Sequence, residues 1–180
     1  MLLSGYAAAM KSLITPRLVL REWEEKDAGF ILDMYSRWDV MRYLGAEPQV
    51  LTDLAGARAR LAAWRDRQDD VHTVWAVQDR QTGHLLGTAF LVRLLAGTPL
   101  TPAAETEIGW HLHPDAWGRG YATEAATAVL AYAARFGISP VLAVTYPENA
   151  ASQAVCRRLG MRHLGRTDRY YNMTCELFST

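Results

Sequence analysis

The stretch from Glu105 to Gly137, ETEIGWHLHPDAWGRGYATEAATAVLAYAARFG, decides how the rest of the chain is read. Ile108, Trp110 and Leu112 alternate with Glu107, His111 and His113, the period of a half-buried strand. Pro114 and Asp115 close that strand, because proline has no N–H to give to a ladder. From Ala122 onward, Ala125, Ala126, Val129, Ala133 and Phe136 recur at helical spacing, and Gly137 stands where a C-terminal cap belongs. Between strand and helix, Gly118-Arg119-Gly120 lets the backbone approach a ligand closely. The first helical turn then offers unpaired N–H groups at the positive end of the helix dipole, so a phosphate is the natural occupant.

Two familiar phosphate loops do not fit. No Gly-Lys-Ser/Thr follows, and Thr123 takes the third glycine position of a Gly-x-Gly-x-x-Gly loop. The segment also comes after other strands rather than in an opening βαβ unit, which excludes a nucleotide-binding α/β protein of that type. An ordinary tight turn is the remaining alternative.

The string EIGWHLHPDAWGRGYATEA closely resembles the acetyl-coenzyme A-binding motif of the GNAT N-acetyltransferase superfamily, best in the branch that includes the ribosomal-protein N-terminal acetyltransferases. The signature Gln/Arg-x-x-Gly-x-Gly/Ala falls on Trp117, Gly118, Arg119, Gly120, Tyr121 and Ala122, with Trp117 replacing Gln/Arg. The resemblance implies a coenzyme cradle from Trp117 to Thr123, and a backbone N–H at Leu112 or a neighbour facing the thioester carbonyl. A second motif reads Asn149-Ala150-Ala151-Ser152 and then Val155-Cys156-Arg157-Arg158-Leu159-Gly160-Met161. It implies Asn149 and Ser152 along the pantetheine arm; Asn149 also suits a helix N-cap.

Acyl transfer from a thioester to an amine needs a base, donors for the oxyanion, and stabilisation of the leaving thiolate. Glu107, nearer the turn than Glu105, is the expected base, acting through water; a surface carboxylate is the alternative. Relatives place a tyrosine acid four residues before the glycine, where this chain has Cys156. Cys156 is therefore a candidate acid or a buried packing residue; Ser152 competes, and departure without a protein acid is the third option. The resemblance places Trp38, Tyr43, Tyr170 and Tyr171 where this fold builds its acceptor pocket; core packing is the alternative for each. His111 and His113 share a strand face, but no third ligand has metal spacing, so no metal is expected.

Outward from this segment, Leu13 to Trp23 reads as a strand and Asp27 to Tyr35 as a helix. Arg37 to Pro48 reads as a loop, and a helix capped by Thr52 runs to about Gln68 with Leu54, Ala57, Leu61 and Trp64 buried. Its arginines, Arg58, Arg60, Arg65 and Arg67, read as a solvated face, with a coenzyme or partner contact the alternative. Thr73 to Gln78 and Leu85 to Leu95 form a strand pair, followed by a loop from Ala96 to Pro102. Val141 to Thr145 is a buried strand, Asn149 opens a helix ended by Gly160, and Arg162 to Arg166 with Tyr170 to Phe178 makes a terminal hairpin.

That order resembles the GNAT fold: an α/β (mixed α+β) architecture whose mostly antiparallel, splayed sheet of six or seven strands is flanked by four or so helices. The expected organisation is an N-terminal extension over 1–12 and a single domain over 13–180. The implied function is acetyl-coenzyme A-dependent N-acetylation of a primary amine, on a protein N-terminus or a small molecule, by direct attack in a ternary complex. A catalytically weak acyl-coenzyme A sensor is the alternative. In 180 residues, 19 basic and 19 acidic side chains balance to zero net charge, so no global field draws in nucleic acid or an anionic membrane. Two separated cysteines, Cys156 and Cys175, point to free thiols in a reducing cytoplasm. A monomer or homodimer is expected.

Overall fold

The computed structural model describes residues 12–180, so the N-terminal extension read from the sequence lies, but for Ser12, outside the described residues. Among the described residues eight strands form one sheet in the order β1-β2-β3-β4-β5-β6-β8-β7. The strands are β1 Leu13–Ile14, β2 Leu18–Glu22, β3 Thr73–Asp79, β4 Leu85–Ala96, β5 Thr101–Leu112, β6 Val141–Thr145, β7 Arg162–Thr167 and β8 Cys175–Ser179. Every neighbouring pair is antiparallel except β5 and β6. The helices are α1 Ala28–Tyr35, α2 Trp38–Met41, α3 Leu54–Asp66, α4 Tyr121–Arg135 and α5 Ala150–Arg158.

The two faces of the sheet carry different cores, because side chains alternate along each strand. On one face Leu18, Leu20, Trp75, Leu91 and Ile108 pack against Ala125, Ala126, Val129 and Ala133 of α4. On the other, Val74 and Ala76 with Phe90 and Val92 pack under Ile31, Met34 and Tyr35 of α1 and under Ala57 and Leu61 of α3. Helices α4 and α5 both end in paired Schellman hydrogen bonds. Ile138 N–H bonds Ala133 O and Gly137 N–H bonds Ala134 O, while Met161 and Gly160 bond Cys156 O and Arg157 O.

Several expectations need correction. Leu13 to Trp23 is two strands, not one: Thr15 and Leu18 close a turn on each other at Pro16, and this added strand takes the sheet to eight. The loop read over Arg37 to Pro48 contains α2, and the loop before the central strand shrinks because β4 runs to Ala96 and β5 starts at Thr101. Helix α3 is capped by Asp53, whose Oδ1 accepts the Gly56 N–H at 2.8 Å, rather than by Thr52. Leu54, expected inside, and Phe136, at the end of the α4 stripe, are exposed because each lies at a helix end beyond the covered face. The last strand begins at Cys175, not Tyr170, because Tyr171 and Asn172 adopt left-handed backbone (φ 57° and 54°) that turns the chain out of the ladder.

Between β5 and β6 the sheet parts. They pair only at Thr106–Val141 and Glu107–Leu142, after which β5 continues to Leu112 and β6 to Thr145. The site lies in this gap.

Candidate active site

A cavity of about 810 Å³ occupies the gap and extends beneath α2 and α3. One half of it is lined by the turn after β5, the start of α4, the end of β6 and one side of α5. Its other half is lined by Val40, Tyr43, Trp64, Arg67, Phe90 and Val92, with Glu107 and His111 in the wall.

The backbone of β5 explains one functional feature. His113 N–H bonds Leu86 O, so hydrogen-bonded pairs alternate backward through His111, Gly109 and Glu107. Leu112 belongs to the other set, and its N–H and C=O point away from β4 into the gap. Trp117 Nε1–H donates to Leu112 O at 2.8 Å, which leaves the N–H as the strand's available donor at that point. Trp117, exposed on its outer side, thus braces the strand end rather than reaching a ligand with a charged group. Leu112 pairs with Gly87, where any Cβ would collide with His111 O, so glycine lets the strands close here.

The turn Gly118-Arg119-Gly120 reaches the helix through two left-handed glycines, φ 73° and 78°. Gly120 is the N-cap of α4, and the first helical bond is Glu124 N–H to Gly120 O. The N–H groups of Tyr121, Ala122 and Thr123 therefore lack intrahelical acceptors. Thr123 and Thr145 both line the cavity and carry buried hydroxyls without partners among the described residues. Unpaired N–H groups, two orphaned hydroxyls and glycines at the bend fit a phosphorylated ligand with a long polar arm, as coenzyme A has.

This turn is tied from behind by the β1–β2 hairpin. Arg17 Nη1 donates to Arg119 O at 2.9 Å and Nε to Glu124 at 2.6 Å, while its guanidinium lies 4.7 Å from the Tyr121 ring centre. Thr15 Oγ1 donates to the same Glu124 at 2.6 Å.

Glu107 is buried at the last paired position before the gap, and its carboxylate accepts the Tyr171 hydroxyl. Loss of hydration pushes its pKa up to about 7, against the partial offset of that hydrogen bond and the Arg67 charge. The left-handed turn at Tyr171 and Asn172 brings the phenol to this point. Glu105, the competing base, is held instead by Arg169 at 2.5 Å. His111 and His113 do not converge on a common point: Nδ1 of His111 meets Tyr35 OH at 2.9 Å and Nε2 of His113 meets Asp33 at 3.2 Å, so both anchor α1. Burial drives the His111 pKa down to about 3, keeping the ring neutral. Among the described residues no cluster of three or more His, Cys, Asp or Glu has metal-site geometry, and no helix is long and apolar enough to cross a membrane.

The second motif divides. Asn149 lines the cavity and also caps α5, its Oδ1 accepting the Ser152 N–H at 3.1 Å; Ser152 lines the cavity too. Cys156, considered as a proton donor, faces the other way into the core, fully buried, with burial pushing its pKa up to about 12. It packs and does not line the cavity. Cys175 is likewise free and buried. Of the aromatics expected at the acceptor end, Tyr43 and Tyr171 line the cavity; Tyr170 is in the core and Trp38 is on the surface. Sequence reasoning missed Thr145, Arg17 and the cavity-facing placement of Arg67, and it treated Tyr171 only as a wall.

The model for an acetyltransferase (GNAT) domain matches residues 17–162. The chain is similar to the uncharacterized N-acetyltransferase YoaA of Bacillus subtilis, 28% identical over 160 residues that cover 88% of this chain and 86% of that protein. Among solved structures, an acetyltransferase from Agrobacterium tumefaciens aligns with TM-score 0.72 and 25% identity, covering 94% of this chain and 93% of its own. RimL, a ribosomal L7/L12 alpha-N-protein acetyltransferase solved with coenzyme A, shares the fold at TM-score 0.75 and 16% identity, covering 94% of this chain and 97% of its own.

Proposed function

This chain belongs to the GNAT acetyltransferase family, and on that premise we propose that it transfers the acetyl group of acetyl-coenzyme A to a primary amine by direct attack within a ternary complex. The observation that carries this reading is the position of Glu107. A buried carboxylate sits at the fork of β5 and β6, in the same cavity as the outward Leu112 N–H and the glycine cradle.

Acetyl-coenzyme A supplies an acyl carbon activated as a thioester. The cradle from Gly118 to Thr123 binds its phosphates, and Asn149, Ser152 and Thr145 line the arm. Glu107 takes the proton that the ammonium must lose before nitrogen can attack, directly or through one water. With a value of about 7 it is poised to do this at neutral pH. Leu112 N–H holds the carbonyl oxygen as negative charge develops there, without reorganisation during the step. The new C–N bond forms as the C–S bond breaks, and the nitrogen's remaining surplus proton passes to the departing thiolate, directly or through water, beside Ser152, the hydroxyl α5 presents where Cys156 does not reach.

Release of free thiol from acetyl-coenzyme A across a panel of amines tests the reading and separates an enzyme from a coenzyme sensor. Glu107→Gln keeps shape and hydrogen bonding but takes no proton. Its turnover is expected to fall ~10²-fold or more at neutral pH and least at high pH, where the acceptor is already deprotonated, with coenzyme binding retained. A variant with the parent's rate at pH 7 assigns the base elsewhere.

A further inference from the structure

The half of the cavity away from the cradle has a defined chemistry. Its floor is the sheet face on which Val74, Phe90, Val92 and Gly109 lie side by side, since Val74 pairs with Phe90, Phe90 with Gly109, and Val92 with Glu107. Its roof is Trp64 and Arg67 at the end of α3. The arginines of α3 are not one solvated face. Arg58 and Arg65 pair with Glu25 at 3.2 and 3.8 Å, and Arg60 lies over the Tyr35 ring at 4.2 Å. Arg67 alone of the four lines the cavity, and among the described residues it has no carboxylate within ion-pair distance. Its charge acts on both Glu107 and Tyr171. The other acid on this side, Asp39, is already engaged by Arg42 at 3.8 Å.

A cation, a buried carboxylate and an apolar strip therefore line a single chamber, with the cation close enough for its charge to act on the carboxylate. We propose that the acceptor is an α-amino acid-like molecule: its amine meets Glu107, its carboxylate is held by Arg67, and its apolar side chain lies on the Val74–Phe90–Val92 floor. This deepens the acetyltransferase reading and rests on it. Arginine suits the role because its planar fork matches a carboxylate with two parallel hydrogen bonds. A plain amine would leave that fork unsatisfied, and a protein N-terminus, whose first residue continues as an amide, would offer it no charge. The apolar floor selects a branched or aromatic side chain over a charged one, which would lose its hydration there.

The test uses three acceptors with one side chain: leucine, leucinamide and isoamylamine, each assayed for thiol release from acetyl-coenzyme A. Leucinamide stands for a peptide N-terminus. Leucine is expected to exceed leucinamide by ~10-fold or more in kcat/KM, the discrimination one charge-assisted pair supplies, chiefly through KM. Arg67→Gln should bring that ratio close to one, and Arg67→Lys, with the charge but not the fork, should restore part of it. Equal use of leucine and leucinamide by the parent overturns the proposal, as does a preference that survives in Arg67→Gln. Failure of all three acceptors also overturns it. Thiol release with the wider panel of amines then tells whether the acetyltransferase reading stands, because turnover of an unrelated amine keeps the enzyme and fails only this acceptor.

Discussion

At Glu107 the burial on which the proposed base role rests also weakens the fold. The folded protein holds this proton more tightly than the unfolded chain does, since dehydration lifts the group from its ordinary value near 4.5 to about 7. Its contribution to stability is complete below the ordinary value and is lost as pH rises through about 7. Replacing it with glutamine removes a charge that water no longer solvates. Glu107→Gln should therefore be the more stable protein at pH 8 to 9, by on the order of 3 kcal/mol, with the gap closing toward pH 5. Paired thermal melts across that range would show it. Cys156 makes the opposite case. Cys156→Ala should cost roughly 1 kcal/mol of stability and leave turnover close to the parent's, because the thiol packs among core side chains. A large loss of rate with stability unchanged would return the residue to the chemistry. The sequence could identify Cys156 by its spacing from Gly160, but spacing along a helix does not say which side of that helix faces the cavity.

The β5–turn–α4 unit was readable from sequence because its determinants are local: alternation in the strand, glycines at the bend, small residues down one helical stripe. The hairpin that braces it was not. Thr15 and Arg17 meet Glu124 across 109 and 107 residues of chain, and no pattern near Pro16 announces such a partner. For the same reason Leu13 to Trp23 reads as one strand when only its apolar rhythm is considered. The predicted effect of this brace is on the coenzyme rather than on chemistry. Arg17→Ala frees the Arg119 carbonyl and one side of Glu124, so affinity for coenzyme A should fall about five- to tenfold while kcat changes little. The loss should shrink in high salt, since Arg17 is half exposed. Calorimetric titration of both proteins decides it; unchanged affinity would make the hairpin a cover and nothing more. The turn at Tyr171 and Asn172 escaped notice for a different reason: Asn172 is a residue that tolerates left-handed backbone, but Tyr171 is not, and no glycine marks the place.

Across the whole molecule, the sheet is two blocks, β1 to β5 and β6 to β8, joined edge to edge by two residue pairs. A ligand bound along the open edges contacts both blocks and stabilises the folded state by mass action. At a hundredfold excess over Kd, coenzyme A should raise the melting temperature by roughly 5 to 10 °C. Heat-induced unfolding followed against coenzyme concentration measures it, and the absence of any shift would deny that the gap is where coenzyme binds. The joint also sets where the wedge is held to a fixed width. Thr106–Val141 and Glu107–Leu142 are the last rungs between the two arms, and Tyr171 adds ties to Leu95 O and Glu107 on the same side. Leu112 and Thr145 end the arms past those rungs, where no ladder joins them. The proposed base thus stands where strand pairing fixes the spacing, and the proposed oxyanion donor stands where the spacing is left to what fills the gap.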